Sequence, residues 1–213
     1  KSYQNLIIYN QIFGGNMSYK DKKIEPSDIL SIDQYTAERK TIRKNLVAIK
    51  KDRRVSLGPH ATFYFENYYT MRAQIQEMLY IEKGGDEQLK DEMEAYNPLI
   101  PQGKEIVATF MFEIDSPITR KNVLSQLGGV ENLIYISIDG DKIFATPEGD
   151  TERTDAYGKT SSVHFIHFHM TDDQINKFKN TESKIELGTD HQEYLHTTVI
   201  SSDTKSSLIE DLD

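Results

Sequence analysis

The sequence predicts an α+β fold: a mainly antiparallel sheet, open or barrel-like, with a long N-terminal helix and a central covering helix. Three observations lead there. Apolar residues alternate with period two in several segments joined by short turns, which is the pattern of antiparallel strands with one buried face. Strand-like segments outnumber helical ones. Between Arg53 and Glu82, RRVSLGPHATFYFENYYTMRAQIQEMLYIE, two extended runs flank a Gly58-Pro59 turn and then give way to a helical period.

Taken in order, residues 1–16 carry short apolar patches broken by Asn, Gln and Tyr, without the continuous apolar stretch of a secretory signal. They read as a non-native or flexible extension, with Met17 as a natural start and 17–213 as a single domain. Ser27 or Ser31 caps a first helix, in which Ile42, Leu46 and Ile49 form a stripe and Arg39–Arg54, RKTIRKNLVAIKKDRR, is strongly basic. From His60, alternation sets Ala61, Phe63 and Phe65 against His60, Thr62, Tyr64 and Glu66. After Asn67 the period lengthens, and Met71, Ile75, Met78, Leu79 and Glu82 share one helix face. Arg72 and Gln74 border that stripe.

Beyond Gly84-Gly85 a short helix carries Leu89, Met93 and Tyr96. The run EIVATFMFEI is apolar on both faces and predicts a central strand. Ser116-Pro117 starts a helix that Gly128-Gly129 ends. Asp139-Gly140 is two-residue hairpin chemistry between Leu133–Ile138 and Lys142–Thr146. Residues 147–160 have no apolar period and read as a long loop, a lid or plain disorder. SSVHFIHFHM is a second informative strand, on which Val163, Phe165, His167 and His169 oppose His164, Ile166, Phe168 and Met170. Thr171 with Gln174 forms a capping box, and two further strands and a helix carrying Leu208, Ile209 and Leu212 close the chain.

Composition narrows the function. With 213 residues and 37% hydrophobic content, the chain is long enough for one sizeable core. It has no cysteine, which excludes disulfides, thiolate metal sites and cysteine nucleophiles. A net charge of −9 argues against general nucleic-acid binding, which rests on phosphate neutralisation by Lys and Arg. No apolar run approaches the roughly 20 residues of a membrane-spanning helix. The dinucleotide, phosphate-loop, zinc-protease and nucleophile-elbow signatures are all missing, so the sequence discloses no reaction.

The chemistry-bearing residues are histidines and their neighbours. His167 and His169 form an H-x-H pair pointing the same way, the geometry in which two imidazoles hold one Zn, Fe or Mn ion with a carboxylate to complete the set; a solvated polar face is the competing explanation. His164 has apolar neighbours on its face and is expected to be buried and neutral. It is either a satisfied core histidine or a member of a polar ligand pocket with His60, Glu66, Arg72, Gln74 and Glu82. In that pocket an imidazole would serve as base or metal ligand, and Arg72 would hold a carboxylate or phosphate. The metal candidates are therefore His60, His164, His167 and His169, for a divalent ion.

RRVSLGPHATFYFEN, TMRAQIQEMLYIE, AYNPLIPQG and KTSSVHF together resemble the bacterial family known as domain of unknown function 3501, over roughly Ile24 to Asp213. The resemblance implies a cytoplasmic bacterial protein linked to peroxide or redox metabolism, because members are typically encoded near rubrerythrin-like and iron–sulfur proteins. It transfers no reaction. Two functions follow as expectations: a ligand or metal pocket, or a non-catalytic accessory module that docks an acidic partner, such as a rubrerythrin-like or iron–sulfur protein, through Lys50, Lys51, Arg53 and Arg54.

Overall fold

A computed structural model describes residues 22–149 and 152–213; the expected extension at 1–16 lies outside the described residues. The chain forms two compact units, one made of the described residues up to Lys51 with Asn67–Ile100, the other of Asp52–Glu66 with Pro101–Asp213.

The first unit is helical. α1 (Ile32–Lys51) starts where the Ser31 hydroxyl accepts the Gln34 amide at 3.3 Å. It buries Tyr35 and Ile42 against Leu30, Ile49, Tyr69 and Tyr80. α2 (Tyr68–Glu82) begins at Asn67, whose side chain accepts the amides of Tyr69 and Thr70, and ends at Lys83 in the left-handed conformation. This satisfies donors that a bare helix start leaves open. α3 (Gly85–Tyr96) follows and fully buries none of its residues. Polar side chains of α2 tie down the segment before α1: Gln76 exchanges hydrogen bonds with both backbone groups of Leu30, and Arg72 donates to the Asp28 carbonyl.

The second unit holds two antiparallel sheets, and neither closes on itself. The first has the order β1-β2-β3-β7-β6, from β1 (Arg54–Leu57), β2 (Ala61–Phe65), β3 (Glu105–Phe112), β6 (Thr146–Pro147) and β7 (Val163–His169). The second has the order β5-β4-β8-β9, from β4 (Ile134–Ile138), β5 (Asp141–Phe144), β8 (Ile185–Thr189) and β9 (His196–Val199). β3 is the middle strand of the first sheet, as its two apolar faces require. One core draws on both sheets, with Phe63, Phe110 and Phe168 joined by Ile136 and Leu187. The Phe63 and Phe110 rings lie 4.8 Å apart.

Among the described residues three α-helices complete the unit: α4 (Pro117–Leu124), α5 (Asp172–Lys179) and α6 (Ser202–Ile209). α5 starts at the capping box of Thr171 and Gln174. Asp139 and Gly140 both take positive φ, 52° and 96°, as a two-residue hairpin turn demands. Part of the segment read as a loop from 147 is edge strand, since Pro147 pairs with Ile166 in β7. Further on, Thr154 bridges to Thr160.

The basic run ends differently from its sequence reading. α1 stops at Lys51, and Arg53 turns inward with 2% of its surface exposed. Its guanidinium donates to the carbonyls of Phe65 and Glu66, to Ser207 and to the Asp211 carboxylate. A charge can be buried only when paired and hydrogen-bonded, and here it is both.

Candidate metal centre

Antiparallel register assembles the cluster on the first sheet. His167 and His169 lie on one face of β7, where Glu105 of β3 is directly opposite His169 and Val107 is opposite His167. Glu105 is thus the diagonal neighbour of His167, close enough for both rings to reach it. Its Oε2 lies 2.9 Å from His167 Nδ1 and 3.1 Å from His169 Nδ1. The two rings stack at 12° with centroids 5.7 Å apart. One ligand atom from each of the three residues falls within 4.8 Å of the other two.

A second carboxylate arrives from the edge strand. Thr146 pairs with His167, and the Glu148 amide donates to Phe165 O at 2.9 Å, extending the ladder by one residue. This sets the Glu148 side chain on the His167 face, where Oε1 lies 2.7 Å from His167 Nε2. His167 is buried between two carboxylates, while His169 is exposed. Burial alone would lower the His167 pKa, but the hydrogen bond and charge of Glu105 and the charge of Glu148 outweigh it, so the pKa is raised. For Glu105, burial pushes upward and the His167 contact pulls further down, leaving the carboxyl below its ordinary range.

Of the residues assigned by sequence to one ligand pocket, Glu66 and His164 take opposite faces of the first sheet. Glu66 accepts the Thr109 hydroxyl at 2.7 Å, and the pairs Tyr64↔Thr109 and Thr109↔Phe165 put it on the same face as His167. His164 is opposite Phe110, which is opposite Phe63, so its side chain enters the other, apolar face. Sheet alternation therefore separates Glu66 from His164. His60 occupies the β1–β2 turn, where its amide donates to the Tyr194 hydroxyl at 3.0 Å. Arg72, Gln74 and Glu82 all lie on α2; Arg72 is buried, and Glu82 is exposed and accepts from Gln88 at 2.9 Å.

His164 is fully buried, beside Phe110 and Phe112. Its Nε2 lies 3.0 Å from Ser161 O and 3.3 Å from the Thr160 hydroxyl, while Nδ1 has no hydrogen-bond partner. Burial lowers its pKa against the opposing charge of Glu131, so the ring is neutral. Of the residues assigned to partner docking, Lys50 and Lys51 end α1, but Arg53 is buried and Arg54 lies 3.2 Å from Glu113.

Glu105 and Glu148 were not singled out in the sequence. The signal for Glu105 is faint: a charged first residue on an otherwise apolar strand, sharing parity with Val107 and Thr109. Glu148 stands among other acidic residues, and only strand pairing distinguishes it.

Fold and cluster together define an α+β protein with a histidine–carboxylate centre on an antiparallel sheet. The chain belongs to the family described as Protein of unknown function (DUF3501), whose profile matches residues 23–212. It is similar to a solved structure from Burkholderia pseudomallei K96243, described as a novel protein of unknown function, with a TM-score of 0.83 and 34% identity over 90% of this chain and 100% of that one. No curated protein matches. Among the described residues no helix is long and apolar enough to cross a membrane.

Proposed function

We propose that this protein binds a divalent first-row transition-metal ion through Glu105, His167 and His169. The observation that carries the reading is the spacing of the donors. Atoms bound to one ion at about 2.1 Å stand about 3.0–3.4 Å from each other, and the Glu105 oxygen already lies 2.9 and 3.1 Å from the two imidazole nitrogens. An ion would replace the hydrogen bonds of the cluster, whose three ligand atoms lie within 4.8 Å of one another. Charge supports the same reading, since the Glu105 and Glu148 carboxylates flank His167 and a dication that displaces the His167 proton would balance them. Two imidazoles and a carboxylate suit Fe(II), Mn(II) or Zn(II) over Ca(II) or Mg(II), which prefer all-oxygen sites.

Because His169 is exposed, an ion held there would be within reach of water or a small substrate. Bound iron or manganese would carry the peroxide or redox link that the family resemblance implies, and the same resemblance implies a cytoplasmic setting. The test is calorimetric titration of Zn(II) and Mn(II), with anaerobic Fe(II), into protein made without a histidine tag and stripped with chelator. One ion per chain is expected, with at least a hundredfold loss of affinity in Glu105→Gln and His167→Ala. Absence of stoichiometric binding by all three ions would sink the reading.

A second reading, docking of an acidic partner, has its own observation in the helical unit. A groove of about 260 Å³ between α1 and α2 is lined by Ile42, Leu46, Arg43 and Lys50, with Glu77 as its one acidic residue. Val47 beside them is 70% exposed. A rubrerythrin-like or iron–sulfur protein with an acidic helix is the partner this reading names. Charge reversal at Arg43, Lys50 and Lys51 is expected to abolish a salt-sensitive complex with such a protein, and a complex that survives the reversal removes the reading.

A further inference from the structure

Resting on the metal reading, we infer that Glu148 is the positioning carboxylate of the centre: it takes the Nε2 proton of His167 as a hydrogen bond and so commits Nδ1 to the ion, without being a ligand itself. The two nitrogens of His167 face different carboxylates. Nδ1 is 2.9 Å from Glu105 Oε2, the atom that also meets His169 Nδ1, whereas Nε2 is 2.7 Å from Glu148 Oε1. A neutral imidazole has one donor nitrogen and one acceptor nitrogen, so whichever nitrogen gives its proton to a carboxylate leaves the other lone pair free.

The shared oxygen decides which side the ion takes. Among the described residues, the second imidazole and the Glu105 carboxylate converge with His167 on its Nδ1 side. On the Nε2 side His167 meets Glu148. Glu148 and the ion thus lie across the ring from one another, and the same carboxylate cannot reach both positions. Metal-bound histidines commonly donate their second N–H to a carboxylate in this way, which raises ligand basicity and fixes the ring.

The backbone places the carboxylate. Glu148 is held by its amide bond to Phe165 O, directly beside the Thr146–His167 pair, so its carboxylate follows the register of the edge strand. The site is therefore divided between strands by role: β3 and β7 supply the ligands, and the segment after β6 supplies the orienting group. The ion class that this suits is a borderline dication taking nitrogen donors, such as Zn(II) or Co(II), whose affinity responds to imidazole basicity.

The probe is Co(II), titrated into metal-free protein and followed by its visible absorption, with Zn(II) in competition. Glu148→Gln and Glu148→Ala are expected to weaken binding by about 10–100-fold, Ala more than Gln because the amide oxygen can still accept. The absorption bands should stay at the wild-type positions, since the ligand set is unchanged. Nitrogen-15 NMR of Zn-loaded wild type should place the proton of His167 on Nε2. Thermal unfolding in chelator verifies that both variants fold. Affinities within twofold of wild type, a moved absorption band, or a proton on Nδ1 would each overturn the role given to Glu148 while leaving the metal site standing. Wild-type protein that binds neither ion overturns this inference, and the metal reading falls with it only if Mn(II) and Fe(II) fail to bind as well.

Discussion

Arg53 is a buried charge whose partners decide its effect on stability. Its charge is matched by Asp211, and its remaining donors go to the Phe65, Glu66 and Ser207 carbonyls. Removing one partner of such a pair strands the other charge in a low-dielectric site. Arg53→Met is therefore expected to cost about 3–5 kcal/mol in urea unfolding, and Arg53→Met with Asp211→Leu should recover part of that loss. A single-variant cost below about 1 kcal/mol would mean that the pair contributes little beyond a surface bridge. His164 gives a pH-dependent counterpart. Burial lowers its folded pKa below that of the unfolded chain, near 6.5, with the Glu131 charge only partly opposing the shift. As pH falls below about 6.5 the unfolded chain takes up a proton that the folded ring refuses, so stability is lost on acidification by up to about 1.4 kcal/mol per unit, until the folded pKa is reached. Relative to His164→Gln, which cannot titrate, wild type should lose stability from pH 7 to pH 5. A constant gap over that range would contradict the assignment. The sequence already pointed to a buried, neutral His164 through its apolar neighbours, but the partners of its Nε2, Ser161 O and the Thr160 hydroxyl, came from the tertiary structure.

Elements were mostly legible because their signals are local. Asp139-Gly140, the Thr171–Gln174 capping box and Ser116-Pro117 each fix backbone geometry within a few residues, and each appears where the sequence puts it. Gly58 belongs with them and adds a tertiary constraint. It has φ +58°, and a Cβ there would meet the His196 ring at 2.5 Å. Gly58→Ala is thus expected to destabilise by about 1–3 kcal/mol, from left-handed backbone strain and steric overlap together, with urea unfolding as the measure; an unchanged midpoint would show that the β9 ring yields freely. Where element readings went astray, the missing information was long-range. The stripe on α2 ended at Glu82 by period alone, yet that residue is exposed, because α2 reaches its left-handed cap at Lys83 and the last turn faces water. The basic run looked continuous through Arg54, but its last two arginines lie beyond α1: one sits in a bend of the chain, the other opens β1.

The centre belongs to the scale of the whole second unit, since Glu105 and His167 are 62 residues apart and meet only through strand pairing. An ion bound by the folded chain alone stabilises it by mass action, about 2.7 kcal/mol at a hundredfold excess over Kd. For a chain of this length that corresponds to a rise in Tm of roughly 5–10 °C. Zn(II) should produce this rise, chelator should reverse it, and Glu105→Gln should show none; an equal rise in that variant would place the ion elsewhere. The amino-acid order by itself determined that His167 and His169 share a face, that His164 turns the other way, and that β3 is central, since each of these follows from alternation within one strand. It also determined the apolar periods, caps and turns that make the fold α+β. Tertiary structure alone decided that a carboxylate stands opposite the histidine pair and another behind it, and that Glu66 and His164 are on different faces. The physical reason is that alternation fixes only which side of its own strand a residue takes, whereas register between strands distant in sequence fixes what it meets there.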